Sequence, residues 1–108
     1  MIVGTNAPLT SWNLRRVARR ASFGLARTGG MASHSSGDIA LVFSTVPSVE
    51  AQVRDAEMAT RQISGFFRAC IESVEEAIVN SLLRAHTVIG RDDNTAYAIP
   101  IDTVVELL

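Results

Sequence analysis

The sequence predicts a layered α/β domain, and three observations carry that expectation. A short apolar run, Ile39 to Phe43, is flanked by small and polar residues and reads as a central strand covered on both faces. Ile63, Phe67, Cys70, Val74, Ile78, Leu82 and Ala85 recur at three- and four-residue spacing, which predicts one long amphipathic helix. Between and around them the pattern runs strand, helix, strand, long helix, strand, short helix, the alternation of an α/β layer fold.

At the amino end, Met1-Ile2-Val3 reads as the last part of a strand whose first residues lie upstream, followed by the turn-rich Gly4 to Pro8. Thr10 or Ser11 is placed to cap the first helix. Its apolar stripe is Leu14, Val17, Ala18, Ala21 and Leu25, its flank and outer face carry Arg15, Arg16, Arg19 and Arg20, and Gly29-Gly30 ends it. Met31 to Ser36 is a small-residue loop, and Ile39 to Thr45 is the strand that Pro47 ends. From Ser48 to Gln62 the pattern is ambiguous: Val49, Val53, Ala56 and Met58 fit a helix loosely, and a surface connection fits as well. The long helix closes near Gly90, Arg91 to Asn94 forms a turn, Thr95 to Ile99 is a second short strand, and Asp102 caps a last helical turn through Leu107.

Composition narrows the function. The chain has 108 residues, 47% hydrophobic, enough for one core and too apolar for a disordered tail. Its formal net charge is −1, with every basic residue an Arg, which argues against a general polyanion binder. The single cysteine, Cys70, excludes an internal disulfide and a multi-cysteine metal site, and neither His34 nor His86 has a ligand companion at useful spacing. No metal or cofactor is expected. No secretion signal or membrane span is visible in the sequence, so the expected location is the cytoplasm.

Several residues invite chemical readings. Ser36-Gly37-Asp38 stands at the mouth of the predicted strand. If strand geometry begins by Ser36, its hydroxyl and the Asp38 carboxylate share a face about 7 Å apart, and Gly37 lets another backbone approach between them. His34 beside Ser36 suggests a hydrolase triad, yet triads assemble from distant segments, and an exposed loop histidine explains it equally. Arg27-Thr28-Gly29-Gly30 could expose amides to an anion or simply terminate the helix. Cys70, on an apolar stripe, reads as a small hydrophobe. The Arg15 to Arg20 cluster could meet phosphates, but no stacking aromatics are interleaved, and a solvated or partner-facing surface fits better. Glu72, Glu75 and Glu76 form a solvated or inter-subunit face, with Arg68 spaced to pair Glu72.

Thr5-Asn6-Ala7-Pro8-Leu9, Leu14 to Ala21, Gly24 to Gly29, Ser36-Gly37-Asp38, Phe43-Ser44-Thr45, Glu75 to Asn80 and Tyr97 to Pro100 together resemble peptidase family S58. That family includes the L-aminopeptidase/D-esterases, the D-stereospecific aminopeptidases and the β-peptidyl aminopeptidases. The resemblance implies a four-layer αββα sandwich like that of the N-terminal nucleophile hydrolases, built by two subunits of a self-cleaving precursor, and a homo-oligomer of such heterodimers. Residues 1–108 are then one domain, the C-terminal, nucleophile-side subunit lacking its first few residues, with the nucleophile about three residues before Met1. Ser36 and Asp38 correspond to the family's supporting hydroxyl and acid, and Asn6 stands where Asp is frequent. The implied activity is an aminopeptidase-type serine hydrolase that removes N-terminal residues from small peptides, amides or esters through an acyl-enzyme. Its implied partner is the N-terminal subunit, with no nucleic acid or membrane. A catalytically inactive structural remnant and an Arg-helix nucleic-acid binder are the alternative readings.

Overall fold

The computed structural model describes residues 1–56 and 60–107 of the chain. They form two compact units, Met1–Glu75 and Glu76–Leu108. The first holds strand β1 (Ile2–Thr5), helix α1 (Ser11–Arg27), strand β2 (Leu41–Ser44), helix α2 (Ser48–Ala56) and most of helix α3 (Thr60–Leu83).

Helix α1 starts where expected. Thr10 takes the extended N-cap conformation, and its hydroxyl accepts from the Asn13 amide. The cap is itself held from afar, because Asp55 near the end of α2 accepts from the Thr10 amide at 3.0 Å and from the Thr10 hydroxyl. Both Asp55 oxygens also accept from the Asn13 side-chain amide, at 2.7 and 2.9 Å. Burial raises the Asp55 carboxyl, but the Thr10 and Asn13 hydrogen bonds and the Arg16 charge outweigh it and hold the group below its ordinary value.

The buried stripe of α1 is Val17, Ala21 and Gly24. Gly24 sets how closely α1 and α3 approach: a Cβ there would lie 2.6 Å from the Ile71 carbonyl oxygen and 2.8 Å from Val74 Cβ. Cys70 and Val74 complete this core, with Ile63 and Leu9. The helix ends in a turn, Gly29 taking a φ of 93° that glycine adopts without strain.

Strands β1 and β2 are parallel, with Ile2 opposite Leu41 and Thr5 opposite Ser44. Hydroxyls lock the far end of the pair: Ser44 donates to the Ala7 carbonyl at 2.6 Å and accepts from the Val46 amide at 3.1 Å. Two features of the predicted central strand need correction. The paired segment begins at Leu41 rather than Ile39, and its outer face is open, with Ile39, Leu41 and Phe43 at 81%, 56% and 45% exposure. An unbroken apolar run can face packing on both sides, but within this unit only the Val3 and Val42 side has helices against it, across a cavity of about 100 Å³ that Val17, Phe66 and Cys70 also line.

The ambiguous stretch after Pro47 is helical from Ser48 to Ala56, its first turn closed by the Ala51 amide donating to the Pro47 carbonyl. Met58, one of the positions read as loosely helical, lies outside the described residues. The long helix ends at Leu83, short of Gly90, with its last turn extended by the Arg84 amide donating to Asn80.

In the second unit, β3 (Val88–Ile89) and β4 (Thr95–Ala96) pair antiparallel around a 3₁₀ turn, Arg91–Asp93. Asp92 and Asp93 take φ values of 55° and 59°, a left-handed conformation aspartate tolerates better than most residues. The predicted Thr95 to Ile99 strand is thus shorter, because its partner offers two residues, and the Ala98 amide instead donates to the Thr87 hydroxyl. Helix α4 spans Ile101–Glu106 with Pro100 at its N-cap. Asp102 sits in the first turn instead of capping it, where a carboxylate meets the positive end of the helix dipole. Mixed strands and helices make this an α/β chain. Among the described residues no helix is long and apolar enough to cross a membrane.

Candidate functional site

Ser36-Gly37-Asp38 lies in the exposed connection between α1 and β2, before the strand begins. The Ser36 amide donates to the Ser33 carbonyl at 2.8 Å, closing a turn that precedes the triplet. The two side chains meet directly: the Ser36 hydroxyl donates to Asp38 Oδ2 at 3.4 Å. That contact replaces the separation of about 7 Å expected of strand geometry, since the turn lets the two side chains converge. A Cβ on Gly37 would meet nothing within 4 Å.

The strand pair reaches toward this triplet beyond its regular part. The α-amine of Met1 donates to the Ile39 carbonyl at 2.7 Å, and the Leu41 amide donates to the Met1 carbonyl at 3.0 Å. These are the two bonds a parallel ladder makes when Met1 stands opposite Ala40. Ser36 and Asp38 therefore sit a few residues up the β2 side of a ladder whose β1 side ends at Met1. A hydroxyl donating to a carboxylate can orient a neighbouring nucleophile and pass a proton, the work expected of a supporting pair in acyl transfer.

The remaining sequence candidates separate cleanly. His34 is exposed in the same connection. Arg27-Thr28-Gly29-Gly30 is a helix terminus and no anion cradle: the Thr28, Gly29 and Gly30 amides all donate to carbonyls of the last turn, Leu25 and Ala26. Cys70 is buried, its Sγ donating to the Val17 carbonyl at 3.5 Å, and burial pushes the thiol up. A thiol so placed stays protonated and packs as a hydrophobe. Glu75 pairs with Arg27 at 3.1 Å, an ion pair across helices that the i, i+4 reading of Arg68 with Glu72 did not foresee. Among the described residues no three His, Cys, Asp or Glu side chains converge as metal ligands.

Sequence reasoning also missed Asp55, whose clasp on Thr10 and Asn13 sets the start of α1. Partners more than 40 residues apart leave no spacing signal; the one visible hint was a capping threonine at the helix start.

Comparison with known proteins places the chain in a family. The family model of peptidase family S58 matches residues 1–96. Beta-peptidyl aminopeptidase BapA of Sphingosinicella xenopeptidilytica is 34% identical over 116 residues, covering 100% of this chain and 28% of that protein. The BapA protein of Sphingosinicella microcystinivorans is 36% identical over 105 residues, covering 93% of this chain and 26% of its own length. Among solved structures, the PH0078 protein from Pyrococcus horikoshii OT3 superposes with a TM-score of 0.78 at 42% identity, over 94% of this chain and 30% of that one. The chain spans less than a third of the length of each of these relatives. With the family pattern running from the first strand to the last hairpin, this chain belongs to peptidase family S58.

Proposed function

We propose that this chain supplies the nucleophile-side part of an aminopeptidase, with Ser36 and Asp38 as the pair that supports the nucleophile. The observation carrying the reading is the ladder register. Met1 stands opposite Ala40, so a chain continued upstream in the same register brings its third residue before Met1 opposite Gly37, between Ser36 and Asp38. Gly37 has no side chain to keep that backbone away. The relatives named as aminopeptidases support the same class of activity.

In this account a Ser or Thr at that upstream position is the free N-terminus after precursor self-cleavage. Its hydroxyl attacks the carbonyl carbon at the N-terminal residue of a small peptide, amide or ester, and its own α-amine takes the hydroxyl proton. The tetrahedral intermediate collapses by expelling the leaving amine or alcohol, which takes the proton, and leaves an ester between enzyme and acyl group. Water then attacks that ester, released by the same proton exchange in reverse. Ser36 and Asp38 hold the nucleophile in position and stabilise the charge on the protonated amine. Oxyanion donors come from the N-terminal subunit of the same precursor. The open apolar face of β1 and β2, with Ile2, Leu41 and Phe43, is where a second sheet completes a four-layer αββα sandwich.

Intact mass and N-terminal sequencing of the mature protein, expressed from its complete reading frame, test the reading. A mature N-terminus at a Ser or Thr three residues before Met1 is the expected result. A mature protein with no hydroxyl residue there would overturn it.

A further inference from the structure

Helix α1 has two faces, and only the inner one is packed within its unit. Its inner stripe, Val17, Ala21 and Gly24, is buried. On the opposite stripe, Trp12, Arg16, Arg19 and Phe23 follow one another at four-, three- and four-residue spacing, with Arg15 alongside. Two large aromatics therefore stand at the ends of a guanidinium run, 68% and 57% exposed and about 16 Å apart along the helix.

Two of the guanidiniums, Arg16 and Arg20, are held by contacts within the fold, and Arg16 also acts on the Asp55 carboxylate, whereas Arg15 and Arg19 are exposed. Arg20 lies 4.0 Å and Arg16 5.3 Å from the Phe67 ring centroid, as cation–π partners. Arg16 also donates to the Asn13 side-chain oxygen at 2.9 Å, and Arg20 to the Arg16 carbonyl at 3.1 Å. Helix α1 contains no Asp or Glu. The ion pairs among the described residues involve Arg27, Arg54 and Arg91, so none of the four clustered arginines is in one. Arg15, Arg16, Arg19, Arg20 and Trp12 surround a hollow of about 240 Å³. Like charges one turn apart repel unless an anion covers them.

From this we infer that the outer stripe of α1 is a docking surface for an acidic amphipathic helix of another polypeptide. Its carboxylates pair with the exposed Arg15 and Arg19 while apolar residues cover Trp12 and Phe23. The charge fixes the sign of the partner, and the aromatic ends fix its class. Trp and Arg together are the residues that dominate protein–protein binding energy, whereas a nucleic-acid track interleaves its aromatics with its basic residues. A net charge of −1 on the whole chain gives duplex DNA no long-range attraction. The inference is independent of the proposed catalytic role, because it concerns a different face and a binding readout.

Fluorescence anisotropy of a labelled synthetic helix tests it on the purified protein. The probe is about 18 residues long, with Glu facing the arginine run and Leu at the two ends, beside a scrambled peptide of the same composition and a labelled DNA duplex. The expected result is saturable peptide binding that weakens about tenfold or more with Arg15→Glu/Arg19→Glu and again with Trp12→Ala. Both arginines are exposed, so their replacement leaves the fold intact. Absence of binding, equal affinity for the scrambled peptide, insensitivity to the variants, or tighter binding of the duplex would each overturn the inference.

Discussion

The Met1 α-amine donates to the Ile39 carbonyl oxygen at 2.7 Å, which carries the parallel pairing of β1 and β2 one residue past its regular end and aims it at Gly37. A Cβ on Gly37 meets nothing within 4 Å, so Gly37→Val leaves the thermal stability of the isolated 108-residue chain unchanged within about 0.5 kcal/mol. In the complete protein the same change pushes against the proposed approaching backbone and lowers aminopeptidase turnover about 100-fold or more. Equal turnover for the variant would mean that no strand passes there.

Gly24 is the opposite case, a glycine the fold cannot spare. Its added Cβ would sit 2.6 Å from the Ile71 carbonyl oxygen, which is backbone and cannot rotate away. Gly24→Ala gains helix propensity of roughly 1 kcal/mol but forces α1 from α3, for a net loss on the order of 1 to 3 kcal/mol. Urea denaturation measures it; a stabilised variant would show that the two helices separate at little cost.

Asp55 predicts an acid-sensitive cap. Its folded-state pKa is depressed, so its contribution to stability is fully present above the unfolded value and fades as pH falls through the folded one, below about pH 4. Asp55→Ala removes the acceptor for Thr10 and Asn13 and costs about 1 to 2 kcal/mol at pH 7. The difference between wild type and variant should shrink on acidification, followed by denaturant midpoints from pH 7 to pH 3; a difference independent of pH would remove the carboxylate charge from the account.

Cys70 should behave as core. Buried against Val17 with its thiol pushed up, it reacts with a thiol reagent at neutral pH only as fast as the protein opens, and at the rate of a free thiol in denaturant. Rapid modification of the native protein would contradict that placement.

Much of this was legible in the residues themselves. The Thr10 cap, the Val17 and Ala21 stripe and the α3 core positions Ile63, Cys70 and Val74 follow from local patterns, and local patterns are visible in sequence. Ile39 to Phe43 was recognisable as strand-forming, but an apolar run does not say how many of its faces this stretch of chain will cover. The Ser36 and Asp38 pairing was visible as proximity; their geometry was not, because the turn at Ser33 sets it rather than strand alternation. The Asp55 clasp and the Arg27 with Glu75 ion pair join residues 42 to 48 apart, and no periodicity encodes such contacts.

Asp38→Asn in the complete protein, assayed on a small aminoacyl anilide under single-turnover conditions, decides whether this carboxylate takes part in acylation. Neutralising the carboxylate that accepts from Ser36 should lower the acylation rate by a factor of about 100 to 10,000 while the protein stays folded. Wild-type rates from Asp38→Asn would place the chemistry elsewhere in the protein and contradict the account.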